Sequence, residues 1–347
     1  MSRAPAAWFP AVRTGTGTDV FTERMVAELH RRGLKAAITW LPLRAEYAPW
    51  SVPIPDPPAW ANVVHVNSWL HERFLPRQLP VLATIHHATH HPSIRPYKGF
   101  VRALYHERWI APNERRTLHR ADLIVAVSRF VADTAQRTLL ARPMTVIHNG
   151  VDVGLFVPGA RVRPSGAPFR LLYVGGWKRL KGVDLLAAIM RELGDSYELR
   201  YTGGAAAPDM RHLPATMHDI GRLQGDAAVA AAMQDVDALL FPSRSEGFGL
   251  VVVESMACGL PVVATRGSSL VEVVADGVTG ALCPQDDTQA FVAAVRKLAT
   301  DFELYATQAH SARDMAVQRF SIECMIDRYI RAYATLSGAG GSELFEE

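Results

Sequence analysis

Short apolar runs alternate along this chain with longer stretches in which apolar residues recur at helical spacing. The short runs are rich in Val, Ile and Leu and are bounded by polar or turn residues, so they read as buried strands. A first series comprises Ala36–Leu41, Val63–Val66, Val81–His86, Leu123–Val127 and Thr145–Ile147. A second comprises Arg170–Val174, Glu198–Thr202, Ala238–Phe241 and Pro261–Ala264. Leu250–Cys258, Thr288–Ala299, Glu303–Gln318 and Ser321–Leu336 read as helices. Strands alternating with helices predict an α/β fold with doubly wound sheets. Between the two series lies Pro158–Pro168, a Gly/Pro-rich connection of the kind that separates domains. The pattern therefore predicts domains at 1–160 and 161–325. The segment 326–347 is expected to be a helix packing back on the N-terminal domain, with a flexible tail from Ser337. Leu41–Trp60 contains six prolines and is expected to be a long loop.

Composition excludes several classes without naming a function. At 347 residues the chain is long enough for two substantial cores, and 49% apolar with 20% charged residues is ordinary for a globular protein. No apolar run reaches eighteen residues, and the first ten residues lack the apolar core of a signal peptide. The three cysteines are far apart, so neither a disulfide framework nor a zinc site is indicated, and a reducing cytoplasm is expected. A formal net charge of +3 is too small to name a partner.

Chemistry concentrates in Pro242–Pro261. Glu246 and Glu254 stand eight positions apart and bracket the turn Gly247-Phe248-Gly249 and an apolar run that opens at Leu250. A glycine-rich turn opening a helix presents backbone N–H groups and the positive end of the helix dipole to an anion, most often a phosphate. Eight residues is slightly more than two helical turns, which places Glu254 on the side of Glu246 but deeper. A carboxylate accepting from vicinal hydroxyls is how nucleotide sites hold ribose. The arrangement suits a diphosphate with hydroxyls at both ends, as in a sugar nucleotide.

This segment resembles the signature of the retaining glycosyltransferases of family 4, enzymes with the glycosyltransferase B fold. The fold implied is two Rossmann-like domains facing a cleft that holds the donor. The resemblance covers nearly the whole chain. Gly15-Thr-Gly17-Thr-Asp19 is similar to the family's Gly-Gly-x-Glu turn, with Gly17 at the second glycine and Asp19 in place of glutamate. Val81–His86 resembles the strand ending in a histidine beside the donor sugar, which assigns that role to His86. Asn149-Gly-Val-Asp152 through Phe156 is very close to a family turn and is expected to be architectural. Gly175 to Gly182 matches the loop that carries a basic pair for the diphosphate. Lys181 matches the second base; the arginine is replaced at Gly176, and Lys178 or Arg179 can supply the charge. Gly221 lies in a loop that contacts the base. The resemblance thus implies His86, Glu246 and Lys181 as catalytic. It implies Gly17, Lys178, Arg179, Gly221, Phe248, Gly249, Leu250 and Glu254 as binding a UDP-sugar or GDP-sugar donor, with no separate cofactor.

Four histidines at 86, 87, 90 and 91 raise metal binding, but no carboxylate pattern completes a ligand set, so no metal site is expected. The segment 97–120 interleaves Lys98, Arg102, Arg108, Arg115, Arg116 and Arg120 with Phe100, Val101, Leu104, Tyr105, Trp109 and Ile110. Two readings of it stand side by side: an interfacial helix on an anionic membrane surface, or a helix packing its apolar face on the sheet. Nucleic acid is not expected as a partner, because no recognition motif accompanies the charge. The expected activity is metal-independent transfer of a hexosyl or N-acetylhexosaminyl group, with retention by front-face displacement, to a glycan or lipid-linked acceptor. The expected place is the cytoplasm, or the inner face of the cell membrane as a peripheral protein. A nucleotide-sugar hydrolase or epimerase and a non-catalytic nucleotide-binding subunit are the alternatives.

Overall fold

A computed structural model describes residues 4–160, 164, 166–204 and 213–338. Arg161–Arg163 and Ser165 of the expected linker, and the expected tail from residue 339, lie outside the described residues. The chain divides into two compact units, Met1–His148 with Glu323–Glu347, and Asn149–Ile322. The division falls at 148/149 and 322/323, so the Gly/Pro-rich stretch around 158–168 belongs to the second unit.

In the first unit, β1 (Ala6–Val12), α1 (Gly17–Arg31), β2 (Lys35–Leu41), α2 (Arg44–Tyr47), β3 (Val63–Asn67), β4 (Val81–Ile85), α3 (Phe100–Tyr105), α4 (Ala111–Arg120), β5 (Leu123–Ala126), α5 (Arg129–Thr138) and β6 (Thr145–Val146) follow in sequence. The strands form one parallel sheet in the order β2-β1-β3-β4-β5-β6. Parallel strands covered on both faces must be apolar throughout, and all seven residues of β1 and all five of β3 and of β4 are buried. Sequence pattern passed over β1 because Pro10 cannot donate to a ladder. The strand tolerates it because β3 pairs with β1 only at Ala7 and Trp8, short of the proline. The expected long loop 41–60 contains α2 and a 3-10 turn at Pro49–Ser51.

In the second unit, β7 (Phe169–Tyr173), α6 (Val183–Leu193), β8 (Tyr197–Tyr201), β9 (Met217–Asp219), α7 (Gly225–Gln234), β10 (Ala238–Phe241), α8 (Leu250–Ala257), β11 (Val262–Thr265), α9 (Leu270–Val273), β12 (Gly280–Cys283), α10 (Thr288–Thr300) and α11 (Phe302–Phe320) build a parallel sheet ordered β12-β11-β10-β7-β8-β9. A last helix, α12 (Ile322–Leu336), starts at the end of this unit, and from Glu323 it belongs to the first. Its Tyr329 and Tyr333 are fully buried, with Tyr333 Oη 2.7 Å from His65 Nδ1 and Tyr329 Oη 3.3 Å from Thr84 Oγ1. The same sheet histidine stacks on Tyr329 at 5.2 Å. Burial pushes the His65 imidazole down to about 3, so it is a neutral hydrogen-bonding group that pins α12 to β3.

Candidate active site

Ligands of open α/β sheets lie beyond the carboxyl ends of the strands, where the strand order reverses. In the second unit that point is between β7 and β10. The loops leaving these two strands are Val174–Gly182 and Pro242–Gly249, the segments that carry the expected donor residues. Gly182 holds them together. Its φ is 71°, and a Cβ there would overlap the Pro242 carbonyl, so only glycine lets the loop lie against β10's end. This approach places Lys181 Nζ 2.7 and 2.8 Å from the two carboxylate oxygens of Glu246. The pair is largely desolvated, with side-chain exposures of 29% for Lys181 and 11% for Glu246. The Glu246 backbone is fixed too: its N–H donates to Ser268 Oγ at 3.1 Å, and Ser269 Oγ donates to its carbonyl at 3.1 Å. Burial, and then the charge of Glu246, push the Tyr173 phenol above its ordinary range.

Arg244 was not singled out in the sequence, and the structure makes it the anchor of these loops. Its buried guanidinium donates to Asp184 Oδ1 at 2.7 Å and Oδ2 at 3.0 Å, to Asp286 Oδ1 at 2.6 Å, and to the Arg179 carbonyl. The hydrogen bond to Asp184, outweighing burial, raises its pKa further above the ordinary arginine value. The only signal in the sequence was a lone arginine two places before Glu246 in an otherwise uncharged Pro-Ser-Arg-Ser run.

Gly249, with φ 94°, opens α8 and offers no capping side chain; the Val252 and Val253 N–H groups donate to its carbonyl, so those of Leu250 and Val251 are the ones that can be met from outside. The Phe248 ring is buried against Phe320 at 5.7 Å, so only its backbone can meet a ligand. Glu254 is half-buried in the second turn of α8, and burial together with its charge pushes the Cys258 thiol up to about 12. Lys178 and Arg179 are exposed, Arg179 lying 3.8 Å from Asp184. The loop thus brings Lys181, and neither of its basic neighbours, to Glu246. Gly221 follows β9 in a turn whose N–H donates to Asp219 Oδ1 at 2.8 Å.

The first unit's sheet reverses between β1 and β3. In the loop after β1, Asp19 accepts from the N–H groups of Thr14 at 2.9 Å and Gly15 at 2.7 Å, so its carboxylate shapes the turn from within. The left-handed backbone sits at Gly15 (φ 70°), and Gly17 starts α1. His86 follows β4; its Nε2 is 2.9 Å from Asn67 Oδ1 and its ring meets the Phe21 edge at 4.6 Å. Because Asn67 Oδ1 only accepts, Nε2 carries the proton and Nδ1 is an acceptor. Burial, then His87 and His65, lower its pKa well below 6.5, so the ring is neutral.

The other histidines go elsewhere. His90 Nε2 lies 2.6 Å from Glu114 Oε2, while Ser68 Oγ donates to Glu114 Oε1 at 2.7 Å. His91 Nδ1 is 2.6 Å from Ser93 Oγ. Among the described residues no group of three or more His, Cys, Asp or Glu side chains could hold a metal ion. The buried Ser68–Glu114–His90 chain is a second feature that sequence reasoning passed over, since its members are 46 and 24 positions apart.

Residues 168–301 match the family described as Glycosyl transferases group 1, and residues 58–155 match Glycosyltransferase Family 4. The chain is 31% identical over 317 residues to D-inositol 3-phosphate glycosyltransferase 1 of Catenulispora acidiphila, covering 80% of this chain and 73% of that protein. It is 29% identical over 225 residues to an uncharacterized glycosyltransferase of Methanocaldococcus jannaschii, of whose length it spans 60%. Among solved structures, sucrose-phosphate synthase from Thermosynechococcus elongatus superimposes with a TM-score of 0.76 at 21% identity, covering 97% of this chain and 100% of that one. HepE of Anabaena, solved in complex with UDP, gives 0.71 at 16%, covering 96% and 100%. At these identities the structural likeness speaks for the fold, that of two Rossmann-like domains.

Proposed function

The chain belongs to the family 4 glycosyltransferases, and from that premise we propose that it moves a sugar, with retention, from a nucleoside-diphosphate sugar to a glycan or lipid-linked acceptor. The observation that carries this reading is the Lys181–Glu246 pair near the start of α8, which has no capping side chain, at the point where the second sheet reverses. Lys181 and the α8 N–H groups supply fixed positive charge for a leaving diphosphate, the largest single source of help that such a site can give. With that charge in place no metal is needed. Glu246 accepts from hydroxyls of the transferred sugar and Glu254 from the ribose. Lys178 and Arg179 add exposed positive charge, and Gly221 lies in the loop assigned to the base. Gly17 and the neutral His86, through Nδ1, are assigned to the donor on the family resemblance. The donor is a UDP-sugar or GDP-sugar of hexosyl or N-acetylhexosaminyl type, and the setting is polysaccharide biosynthesis in the cytoplasm.

Incubation with labelled UDP- and GDP-sugars in EDTA, with and without membrane and glycan fractions as acceptors, tests the activity. Label should enter an acceptor with the anomeric configuration of the donor. Diphosphate released at the same rate without any acceptor would make the protein a hydrolase, and an inverted product would overturn retention.

A specific observation favours peripheral membrane contact. α3 buries none of its residues: Phe100 is 83% and Val101 79% exposed, beside exposed Arg102 and Arg108. Trp50, 68% exposed, meets Trp109 edge to face at 6.2 Å and extends this apolar surface. Aromatic anchors with basic residues around them suit an anionic lipid surface. Among the described residues no helix is long and apolar enough to cross a membrane.

A further inference from the structure

We propose that Glu246 is the residue by which this site tells the intact sugar donor from the spent nucleoside diphosphate. The inference rests on the donor reading given above. Lys181 and Glu246 satisfy each other through two contacts of 2.7 and 2.8 Å in a poorly solvated place. The backbones that carry the two side chains are both fixed. Ser268 and Ser269 hold the Glu246 backbone, while Gly182 packed on Pro242 and Arg244 bound to the Arg179 carbonyl hold the Lys181 loop.

A diphosphate placed on Lys181 must therefore share the ammonium with a carboxylate that stays beside it. Two anions on one cation at low local dielectric repel each other. An intact donor offsets that repulsion, because hydroxyls of its sugar donate to Glu246 in place of the ammonium. The diphosphate left after transfer has no such hydroxyls at that end and faces the repulsion uncompensated. Glu246 thus holds the sugar and, once the sugar has gone, helps expel the product.

The test is calorimetric titration of the wild-type chain, Glu246→Gln and Glu246→Asp with the free nucleoside diphosphate and with its sugar, the base being chosen from UDP, GDP and ADP. Wild type should prefer the sugar donor. Glu246→Gln, which removes the charge at nearly constant shape, should bind the free diphosphate about threefold to tenfold tighter, the scale of a partly exposed ion pair, and lose that preference. Glu246→Asp keeps the charge and should gain nothing. Should the glutamine variant not fold, Glu246→Ala reads the same gain. A folded, uncharged variant that binds the diphosphate no better than wild type overturns the inference while leaving the donor reading intact. A wild-type chain that binds none of the three diphosphates overturns the donor reading, and the inference with it.

Discussion

At Gly182 the backbone lies at φ 71° and a Cβ would overlap the Pro242 carbonyl, so an alanine there forces the Lys181 loop away from β10. Left-handed strain alone amounts to about 1–2 kcal/mol, and the clash adds to it. Gly182→Ala should therefore lower stability by at least about 2 kcal/mol in urea unfolding and should weaken nucleotide binding as well, since it displaces Lys181. Unaltered stability would mean that the two loops are not packed as described. The Lys-Gly dipeptide was legible in the sequence through its match to the family's diphosphate loop. Arg244 was not, because its partners Asp184 and Asp286 lie 60 and 42 positions away and only the fold assembles them. Phe248 shows what sequence position leaves open: its ring is buried in the core, so a ligand contact there falls to its backbone.

Elements with a strong local signal were readable nearly to their ends: α10 and α11 open on the aspartate caps Asp287 and Asp301, and α8 opens on the glycine turn before it. The segment 97–120 was harder. It is not one amphipathic helix: α3 is exposed, residues 106–110 form a π-helical turn just before Pro112, which cannot donate to the turn before it, and α4 packs Ala111 and Leu118 inward. Its basic residues divide accordingly. Arg115 donates to the Thr138 and Leu139 carbonyls at the end of α5, and Arg120 donates to the Pro76 and Leu79 carbonyls. The seat of α12 carries a pH dependence. The folded pKa of His65 is depressed to about 3 by burial, while the unfolded histidine titrates near 6.5. The unfolded chain thus binds more protons between those values, so stability is fully present above pH 6.5 and is lost as pH falls below it. The loss from His65 should approach about 1.4 kcal/mol per pH unit. Urea unfolding at pH 7.0 and 5.5 should show this loss with uptake of protons, and pH-independent stability across that range would contradict a buried neutral His65.

On the scale of the whole molecule, doubly wound α/β architecture was legible from alternation alone, whereas the unit boundaries depended on pairing that no local pattern reveals. β1 was hidden by Pro10, and β9 (Met-His-Asp) and β12 (Gly-Ala-Leu-Cys) by the lack of any β-branched residue. The surface around α3 makes a prediction at this scale. The chain should co-sediment with anionic vesicles at low salt and release as the Debye length falls toward about 10 Å at 0.1 M. Phe100→Ser with Arg102→Gln and Arg108→Gln should abolish sedimentation, while Arg115→Gln, which alters a contact with α5, should not. Indifference of the wild-type chain to anionic vesicles would return α3 to ordinary surface.

The second unit is expected to bind a nucleoside diphosphate through Lys181 and the start of α8. Calorimetric titration of the full chain with UDP, GDP and ADP in EDTA tests it most directly. One diphosphate should bind with one-to-one stoichiometry despite the chelator, and Lys181→Met should weaken it by about 1.5–3 kcal/mol, the size of a lost hydrogen bond to a charged group. Binding that vanishes with EDTA would make the site metal-dependent, and binding that survives unchanged in a folded Lys181→Met variant would take Lys181 out of it.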